Sequence, residues 1–485
     1  MSTRVLFGTS ELSPWAKTGG LGEVARDLPQ ALARAGAEVR ILVPAWPALR
    51  AAHPTAKPVA RFESTSGTHA PAQLLYVEGN PGLLLVECDD YYARPGTLYQ
   101  SPEGSDWPDN HLRFGLLSRV AARLAGAGSP LEWRPDVLHC NDWQCGLAPA
   151  WRRIERGSGP RGAATIMTVH NLAYQGLFPR EVLVPLGLPA SAFTFDGLEF
   201  YGQLSFLKAG LRYADLLSTV SPTYAREIQG ETLGFGLNGL LSQRANDLAG
   251  ILNGIDTEVW NPATDPHLER PYDAENLGAK GRNKWALQAD LGIEEAPERP
   301  LLGMVARLVE QKGADLVLEA APQLVAMGCQ LALLGSGEKR FEEGFAELAR
   351  DYPASVGVKI GFDEALSHRI EAGADLFLMP SRFEPCGLNQ MYSMRYGTPP
   401  VVRRTGGLAD SVVDHGAAGE AAPTGFVFDE ADADALVAAI ERAFAVYRSP
   451  TRWQALQRSA MARDAGWDPS AAEYLALYRR ALARA

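Results

Sequence analysis

Short apolar runs alternate with longer amphipathic stretches along most of this chain, in two separate series. In the first series, Arg4–Thr9 has strand character, Leu21–Ala35 has helical spacing, and Glu38–Pro44 is another apolar run. In the second, Leu301–Ala306 precedes a helical stretch over Ala314–Met327, and the same order then recurs. Such alternation builds parallel sheets covered by helices, and 485 residues exceed what one hydrophobic core usually holds together. The sequence therefore predicts an α/β protein with two doubly wound, Rossmann-like domains.

Two similar pentapeptides, Lys17–Leu21 and Arg404–Leu408, occur one in each half of the chain. Each places a cation, a hydroxyl group and two glycines at the predicted start of a helix. Consecutive glycines let a ligand approach backbone N–H groups, and the helix dipole there favours an anionic or oxygen-rich ligand. We therefore expect two facing domains with a ligand in the cleft between them; two unrelated tight turns are the alternative interpretation. The candidates are Lys17, Gly19, Gly20, Thr405 and Gly406.

The charge of the chain argues against two classes of partner. Its formal net charge is -11, and no long run of basic residues interrupts the sequence. Nucleic acids and anionic membranes both require clustered Lys and Arg, so neither is expected as the main partner. A small phosphorylated ligand needs only a few local cations and remains compatible with this composition.

The cysteines and histidines do not indicate a metal site or disulfide bonds. The five cysteines are odd in number and lack zinc-ligand spacing, and the histidines show no ligand spacing either. No apolar stretch reaches the length of a membrane span, and the N-terminus lacks the basic and apolar regions of a signal peptide. We therefore expect reduced thiols, no metal and a cytoplasmic location.

Turn-forming residues between the two series predict where the domains divide. The segment Leu248–Asp265 contains the turn dipeptide Asn253-Gly254 and is interpreted as a hinge. The predicted N-terminal domain covers residues 1–247 and the predicted C-terminal domain covers residues 248–460. A last helix is expected within residues 461–485.

Two motifs at predicted strand ends contain candidates for chemistry. In Arg307–Gly313, between a strand and a helix, Arg307 and Lys312 could hold a diphosphate, because anions bind at such strand ends. A solvated pair of surface cations is the alternative. In the second motif, Glu384 follows a buried strand and precedes Gly387 at the predicted start of a helix. This arrangement offers a carboxylate for hydroxyl groups beside N–H groups for phosphate, whereas a helix cap would explain only Glu384.

Five short segments occur in a fixed order along the chain: Lys17–Gly22, His170–Gly176, Asn253–Asp256, Arg307–Gly313 and Arg382–Leu388. Together they resemble bacterial glycogen synthases and their close relatives, the plant starch synthases, and the resemblance covers nearly the full chain. It implies the two-domain glycosyltransferase fold of the GT-B type, in which the last helix usually crosses back onto the first domain. It also implies transfer of glucose from ADP-glucose to the non-reducing end of an α-1,4-glucan, with retention at the anomeric carbon.

The resemblance implies roles for the residues at matching positions. Arg307 and Lys312 would grip the diphosphate, and Glu384 would bind hydroxyl groups of the glucosyl unit. His170 and Asp142 would contact the glucosyl unit from the N-terminal domain. The other implied donor contacts are Lys17, Gly19 and Gly20 near the sugar and diphosphate, Asn253 orienting the donor, Phe362 stacking on the base, and the Gly387 and Leu388 amides.

No metal and no pyridoxal phosphate are expected, so fixed groups of the protein must stabilise the departing ADP. Arg307, Lys312 and helix N–H groups are the candidates. We favour attack by the acceptor from the face that the phosphate leaves. A double displacement would need a carboxylate nucleophile, for which Asp142 is the nearest candidate. The wider superfamily has a second glutamate where this chain has Tyr392, so no ribose contact is expected there.

The resemblance leaves alternatives open. The donor could be UDP-glucose, because base selection depends on backbone contacts that the sequence does not display. A glucan phosphorylase shares the two-domain plan but needs pyridoxal phosphate on a lysine. A glucan-binding protein without catalytic activity would not need residues that bind a diphosphate. The acceptor is a neutral glucan, for which aromatic rings are suitable partners, although partial core burial is the alternative for each ring. The candidate rings are Trp15, Trp143, Tyr174, Phe178 and Tyr201.

Overall fold

The computed structural model describes residues 2–63, 70–156, 162–416 and 422–484. The chain forms two compact units, one made of Met1–Gly254 with Trp467–Ala485 and the other of Ile255–Gly466. Each unit is an α/β domain built on a sheet of mainly parallel strands, which confirms the predicted fold class. Within the described ranges, no helix has both the length and the apolar character needed to cross a bilayer.

The strands of the first unit form one large sheet and one small sheet. In chain order the strands are β1 (Arg4–Gly8), β2 (Glu38–Pro44), β3 (Lys57–Phe62), β4 (Ala72–Val77), β5 (Gly82–Glu87), β6 (Val137–Asn141), β7 (Ala164–Val169), β8 (Leu177–Pro179), β9 (Glu199–Phe200), β10 (Gln203–Ser205), β11 (Leu216–Thr219) and β12 (Leu248–Gly250). The large sheet has the order β12-β11-β7-β6-β1-β2-β5-β4-β3, and the small sheet has the order β8-β10-β9.

Helices connect and cover these strands. They are α1 (Gly20–Arg34), α2 (Pro47–Ala52), α3 (Asp89–Tyr92), α4 (Asn110–Leu124), α5 (Leu147–Arg156), α6 (Phe206–Tyr213), α7 (Pro222–Glu227) and α8 (Asn238–Gln243). The central strands of the sheet are apolar and fully buried because helices cover both faces. Strands β1, β6 and β7 pair in parallel, so their carboxyl ends meet at the same edge of the sheet.

The antiparallel strands of the first unit are absent from the sequence-based expectation. Strands β3 and β4 pair antiparallel and extend the parallel sheet beyond β5, and the small sheet β8-β10-β9 is antiparallel throughout. The strands of the small sheet have two or three residues each. Strands this short contain too few residues for an alternating pattern to identify them.

The second unit contains a six-stranded parallel sheet in the order β15-β14-β13-β16-β17-β18. Its strands are β13 (Leu301–Leu308), β14 (Gln330–Gly337), β15 (Val356–Ile360), β16 (Leu376–Met379), β17 (Pro400–Arg403) and β18 (Phe426–Phe428). Its helices are α9 (Lys280–Leu291), α10 (Ala314–Ala326), α11 (Lys339–Asp351), α12 (Glu364–Gly373), α13 (Asn389–Arg395), α14 (Gly406–Ser411), α15 (Ala433–Tyr447) and α16 (Pro450–Met461).

The last helix, α17 (Asp468–Ala483), returns to the first unit, where it packs against α1 and β7. A series of buried side-chain hydrogen bonds joins α17 to the sheet. The Tyr478 hydroxyl lies 2.8 Å from His139 Nδ1, and His139 Nε2 lies 2.6 Å from Thr168 Oγ1. Thr168 Oγ1 in turn lies 2.6 Å from Ser218 Oγ. These contacts connect α17 with β6, β7 and β11 through polar groups that would otherwise be buried without partners.

The borders between the units differ from the predicted positions at 247/248 and 460/461. Residues Leu248–Gly250 form β12, which pairs with β11 and therefore belongs to the sheet of the first unit. The chain enters the second unit at Ile255, whose N–H donates to Ala465 O at 2.8 Å. The segment that joins the two units is thus shorter than the hinge predicted over Leu248–Asp265. Trp260 stacks on His368 and Tyr392 at 3.9 and 3.7 Å between ring centroids, which holds its segment in the second unit.

The series of buried hydrogen bonds at α17 predicts a loss of stability when the Tyr478 hydroxyl group is removed. Tyr478→Phe leaves His139 Nδ1 without its partner in a site where both residues are fully buried. We expect a cost of about 1–3 kcal/mol, seen as a lower melting temperature in thermal unfolding. The control is Glu473→Gln on the exposed side of the same helix, which should leave the melting temperature unchanged. Equal melting temperatures for Tyr478→Phe and the wild type would show that this series of hydrogen bonds contributes nothing to stability.

Candidate active site

In the first unit, Asp142 occupies a strained position at the carboxyl end of β6. Its φ is +53°, a value that non-glycine residues adopt rarely and at a cost of about 1–3 kcal/mol. The carboxylate Oδ1 accepts a hydrogen bond of 2.7 Å from the His170 N–H. Burial raises the pKa of Asp142 to about 7, and the charge of Glu11 adds to this effect although two backbone N–H groups oppose it. A strained, half-buried carboxyl group with a raised pKa at a strand end has the character of a functional group.

His170 follows β7 and lies beside Asp142 at the same edge. Its Nε2 is 2.9 Å from Asn141 Oδ1, and the Asn141 amide Nδ2 donates to Gly8 O at 3.0 Å. Burial lowers the pKa of His170 to about 3, so the imidazole is neutral at physiological pH. The structure therefore brings together two of the predicted site residues, Asp142 and His170. Asn141 was not predicted, although a polar residue that ends an apolar strand is the signal that could have identified it.

Backbone amides of the loop before α1 donate hydrogen bonds to a carboxylate of the protein itself. Glu11 accepts hydrogen bonds from the Thr18 N–H at 2.9 Å, the Thr18 hydroxyl at 2.5 Å and the Gly19 N–H at 3.4 Å. Lys17 forms an ion pair with Glu23. An anionic ligand that reached Gly19 and Gly20 would therefore compete with the Glu11 carboxylate. Sequence reasoning did not identify Glu11, because its approach to the loop depends on the tertiary fold.

Asn253, the penultimate residue before the chain leaves the first unit, is also buried. Its side-chain oxygen has no hydrogen-bond partner among the described residues. Buried amide oxygens are usually satisfied, so this one is available to a donor group from a ligand.

In the second unit, two motifs that are distant in sequence meet at neighbouring strand ends. Lys312 Nζ lies 2.5 Å from Glu384 Oε2, and the Ser381 hydroxyl donates to the same oxygen at 3.0 Å. Gly313 makes the approach possible: a Cβ atom there would lie 2.3 Å from Pro380 O, and its φ is +71°. The Glu384 side chain is 6% exposed and that of Lys312 is 20% exposed. A carboxylate and an ammonium group therefore stand side by side near the surface of this edge.

The second glycine pair packs directly on the loop that carries Glu384. The Gly407 N–H donates to the Glu384 and Pro385 carbonyls, each at 3.1 Å, and a Cβ at Gly406 would lie 1.9 Å from Glu384 O. These glycines thus permit close contact between two backbone segments. Thr405 is buried beside them. The two pentapeptides are therefore similar in sequence but differ in local structure. In Lys17–Leu21 backbone amides face a carboxylate, whereas in Arg404–Leu408 a backbone amide pairs with two carbonyl oxygens.

Gly387 and Leu388 lie in the loop before α13, which begins at Asn389 and not at the predicted Gly387. The φ of Gly387 is +73°, which is incompatible with a helical start. Gln390 fixes this loop, since its Nε2 donates to Cys386 O at 3.1 Å and to Gly387 O at 3.0 Å.

Three further positions in the second unit were singled out from the sequence, namely Arg307, Phe362 and Tyr392. Arg307 is an exposed residue near the end of β13. Phe362 follows β15, two strands away from β13, and is 77% exposed. Tyr392 is buried against Trp260, so its ring is part of the core. Among the described residues, no group of three or more His, Cys, Asp and Glu side chains could hold a metal ion.

The candidate glucan-binding rings divide into two kinds. Tyr174 and Tyr201 are 51% and 80% exposed, and Trp15 is 37% exposed. Trp143 and Phe178 instead pack in an aromatic cluster, with ring centroids 5.9 Å apart. The exposed rings can stack on sugars, whereas Trp143 and Phe178 mainly support the fold.

Comparisons with known proteins agree over almost the whole chain. The family model described as starch synthase catalytic domain matches residues 4–243, and the model of glycosyl transferases group 1 matches residues 288–458. A glycogen synthase of Dechloromonas aromatica is 54% identical over 99% of both chains. A glycogen synthase of Aromatoleum aromaticum is also 54% identical, over 98% of this chain and 96% of the relative. The solved catalytic domain of starch synthase IV from Arabidopsis thaliana, bound to ADP and acarbose, has a TM-score of 0.87 at 32% identity, with full coverage of both chains.

The Lys312–Glu384 pair predicts that stability and turnover respond differently to substitution. Lys312→Met leaves a buried carboxylate without its counter-charge, which typically costs about 3–5 kcal/mol, so the melting temperature should fall. The double variant with Glu384→Gln should regain most of the melting temperature but remain inactive, if both groups contact the donor as the resemblance implies. The matched control is the exposed Lys339–Glu343 pair, with side chains 86% and 68% exposed, where the same changes should alter neither property. An active double variant would contradict the assigned role.

The raised pKa of Asp142 predicts a pH-dependent gain of stability in Asp142→Asn. An aspartate titrates near pH 3.9 when unfolded, so a folded pKa of about 7 makes the wild type lose stability as pH rises between these values. Asparagine does not titrate. The variant should therefore be more stable than the wild type above pH 7, and the difference should be absent below pH 4. Melting temperatures at pH 4 and pH 8 test this, and a pH-independent difference would contradict it.

Proposed function

The chain belongs to the glycogen synthase family, and from this premise we propose that it transfers glucose from ADP-glucose to the non-reducing end of an α-1,4-glucan with retention of anomeric configuration. The observation that carries the proposal is the Lys312–Glu384 pair at 2.5 Å. A glycosyl donor presents sugar hydroxyls and a diphosphate to its enzyme, and this pair offers a carboxylate for the first and a cation for the second. Starch synthase IV, which this chain resembles in structure, was solved with ADP and acarbose bound.

We propose that Arg307, Lys312 and the Gly387 and Leu388 amides stabilise the departing diphosphate. Negative charge develops on the phosphate as the bond to the sugar breaks, and preorganised donors stabilise it at no reorganisation cost. Removing one such donor typically raises the barrier by about 3 kcal/mol. Two permanent cations can therefore supply much of the stabilisation that a divalent metal provides in other transferases, and neither a metal nor pyridoxal phosphate is part of the proposal.

Asp142 and His170 are proposed to contact the glucosyl unit. A double displacement would require Asp142 as an ionised nucleophile, but its pKa of about 7 keeps much of it protonated at neutral pH. Its Oδ1 also accepts a hydrogen bond from the His170 backbone. Both features favour attack by the acceptor hydroxyl on the face that the phosphate leaves, with the phosphate taking the acceptor proton.

The donor base and the acceptor would be recognised by exposed aromatic rings. Phe362 is 77% exposed at a strand end and is suited to stack on a base, while Tyr174 and Tyr201 offer ring faces to glucan. Stacking alone does not distinguish adenine from uracil, so UDP-glucose is the alternative donor. All five cysteines are free thiols, which fits the proposed cytoplasmic location.

Two other functions are less compatible with the site. A glucan phosphorylase would carry pyridoxal phosphate on a lysine, and an absorbance band of a bound Schiff base would identify it. A silent glucan-binding protein would have no use for the Lys312–Glu384 pair, and calorimetry with glucan affinity but no ADP affinity would favour it.

The proposal predicts that purified protein supplied with ADP-glucose and a glycogen primer releases ADP and lengthens the glucan chains. UDP-glucose, compared side by side at equal concentration, should support slower release of its nucleotide. A strong chelator should leave turnover unchanged, because protein cations stabilise the leaving group. Absence of ADP release and chain growth would refute the proposed reaction. Loss of turnover with chelator and recovery on adding magnesium or manganese would refute the metal-free mechanism alone.

A further inference from the structure

Asn141, the last residue of β6, links two elements at the edge where His170 lies. Its side chain is fully buried. The amide Nδ2 donates to the carbonyl oxygen of Gly8, at the end of β1, over 3.0 Å. The amide Oδ1 lies 2.9 Å from Nε2 of His170, just beyond the end of β7. Both ends of one amide are therefore engaged, each with a different neighbouring strand.

The partners determine which way the Asn141 amide points. The Gly8 carbonyl oxygen can only accept a hydrogen bond, so it must face the NH₂ group of Asn141. The reversed amide would place two oxygens 3.0 Å apart with no hydrogen between them. The Asn141 oxygen must therefore face the imidazole, and because this oxygen can only accept, Nε2 of His170 carries the hydrogen.

This tautomer makes the other ring nitrogen an acceptor. Within the part of the chain that the structure describes, His170 Nδ1 has no hydrogen-bond partner. The backbone of His170 is held as well, by the bond of 2.7 Å from its N–H to Asp142 Oδ1. The ring is neutral, since burial holds its pKa at about 3. A neutral imidazole with a lone pair on Nδ1 can accept a hydrogen bond from a hydroxyl group.

A second buried histidine shows what is special about this contact. His139 on the same strand lies between the hydroxyl groups of Tyr478 and Thr168. A hydroxyl group can donate or accept, so these partners satisfy either tautomer of His139. Of these two histidines, His170 is the one whose neighbour imposes a single tautomer.

We propose that Asn141 is a positioning residue for glucosyl transfer: it fixes His170 as the Nε2–H tautomer, so that Nδ1 accepts a hydrogen bond from a hydroxyl group of the donor sugar. The inference rests on the proposed function for the identity of the ligand. The tautomer itself follows from the contacts within the protein and can be measured without any substrate.

The first test is nitrogen-15 NMR of the full-length protein labelled on histidine, with the His170 signals assigned by their absence in His170→Gln. The wild type should show His170 as a single neutral Nε2–H tautomer. Asn141→Leu has a similar volume but no acceptor, so the preference should disappear. Turnover per active site with ADP-glucose and glycogen should then fall by roughly tenfold or more, as wrong imidazole tautomers do in other enzymes.

Asn141→Asp, like Asn141→Leu, loses the hydrogen bond to the Gly8 carbonyl oxygen, so the comparison of these two variants separates the effect of the tautomer from the loss of that bond. The carboxylate still accepts from Nε2, but its charge raises the pKa of His170, and the imidazolium that forms carries hydrogen on Nδ1 and no longer accepts. The other titratable groups that face His170 are His139 and Asp142, both of β6 and its end, and the variant leaves them in place. Turnover should therefore be low at acidic pH and recover as pH rises through the new pKa, whereas the loss in Asn141→Leu should not recover.

Tyr478→Phe is the control, because it removes a hydrogen bond from the neighbouring His139 and leaves Asn141 untouched. It should lower the melting temperature but keep the His170 tautomer and the turnover. A wild-type His170 observed as the Nδ1–H tautomer would overturn the proposal, and so would a fully active Asn141→Leu. A wild type with the expected tautomer but no turnover would refute the proposed function and not the arrangement at Asn141.

Discussion

Parallel pairing of strands is the constraint on which both halves of this molecule depend. Because β1, β6 and β7 run in the same direction, Gly8, Asn141 and His170 come to one edge from three separate parts of the chain. The same pairing between β13 and β16 lets Lys312 meet Glu384 in the second unit. The helices that return the chain between strands lie on the faces of the sheet, so the edge itself remains open for side chains that do chemistry.

Several candidate site residues have a backbone conformation, a pKa or a buried charge that is unusual in proteins. Each of these properties is useful for glucosyl transfer. Asp142 has a strained backbone and a pKa of about 7, and His170 is kept neutral by burial. The Glu384 carboxyl group is buried and lies against the Lys312 ammonium group. The buried His139, by contrast, lies between two hydroxyl groups that tie it into the fold. Departures from ordinary stability at the strand ends of a sheet, as found in each unit separately, are the mark of a functional site.

The sequence predicts the buried parts of the fold best. The strand Glu38–Pro44 has the predicted limits, and the strands predicted at Arg4–Thr9 and Leu301–Ala306 begin where expected and end at Gly8 and Leu308, because apolar runs between turn residues leave few other possibilities. The antiparallel strands β3 and β4 and the small antiparallel sheet were not predicted; the strands of the small sheet have only two or three residues each, too few for an alternating pattern. The motifs located Glu384, Lys312 and His170, but not what each touches. Contacts such as Glu11 with Thr18, or Gly407 with the Glu384 carbonyl, exist only after the chain has folded.

The return of α17 to the first unit means that the chain passes between the units at two places, Gly254/Ile255 and Gly466/Trp467. The second unit is therefore an uninterrupted insertion, whereas the first is assembled from both ends of the polypeptide. During synthesis on the ribosome, all residues of the second unit emerge before the helix that carries Tyr478. The unit that begins first is consequently completed after the second unit, and the part of its sheet that α17 covers stays exposed until that helix has emerged.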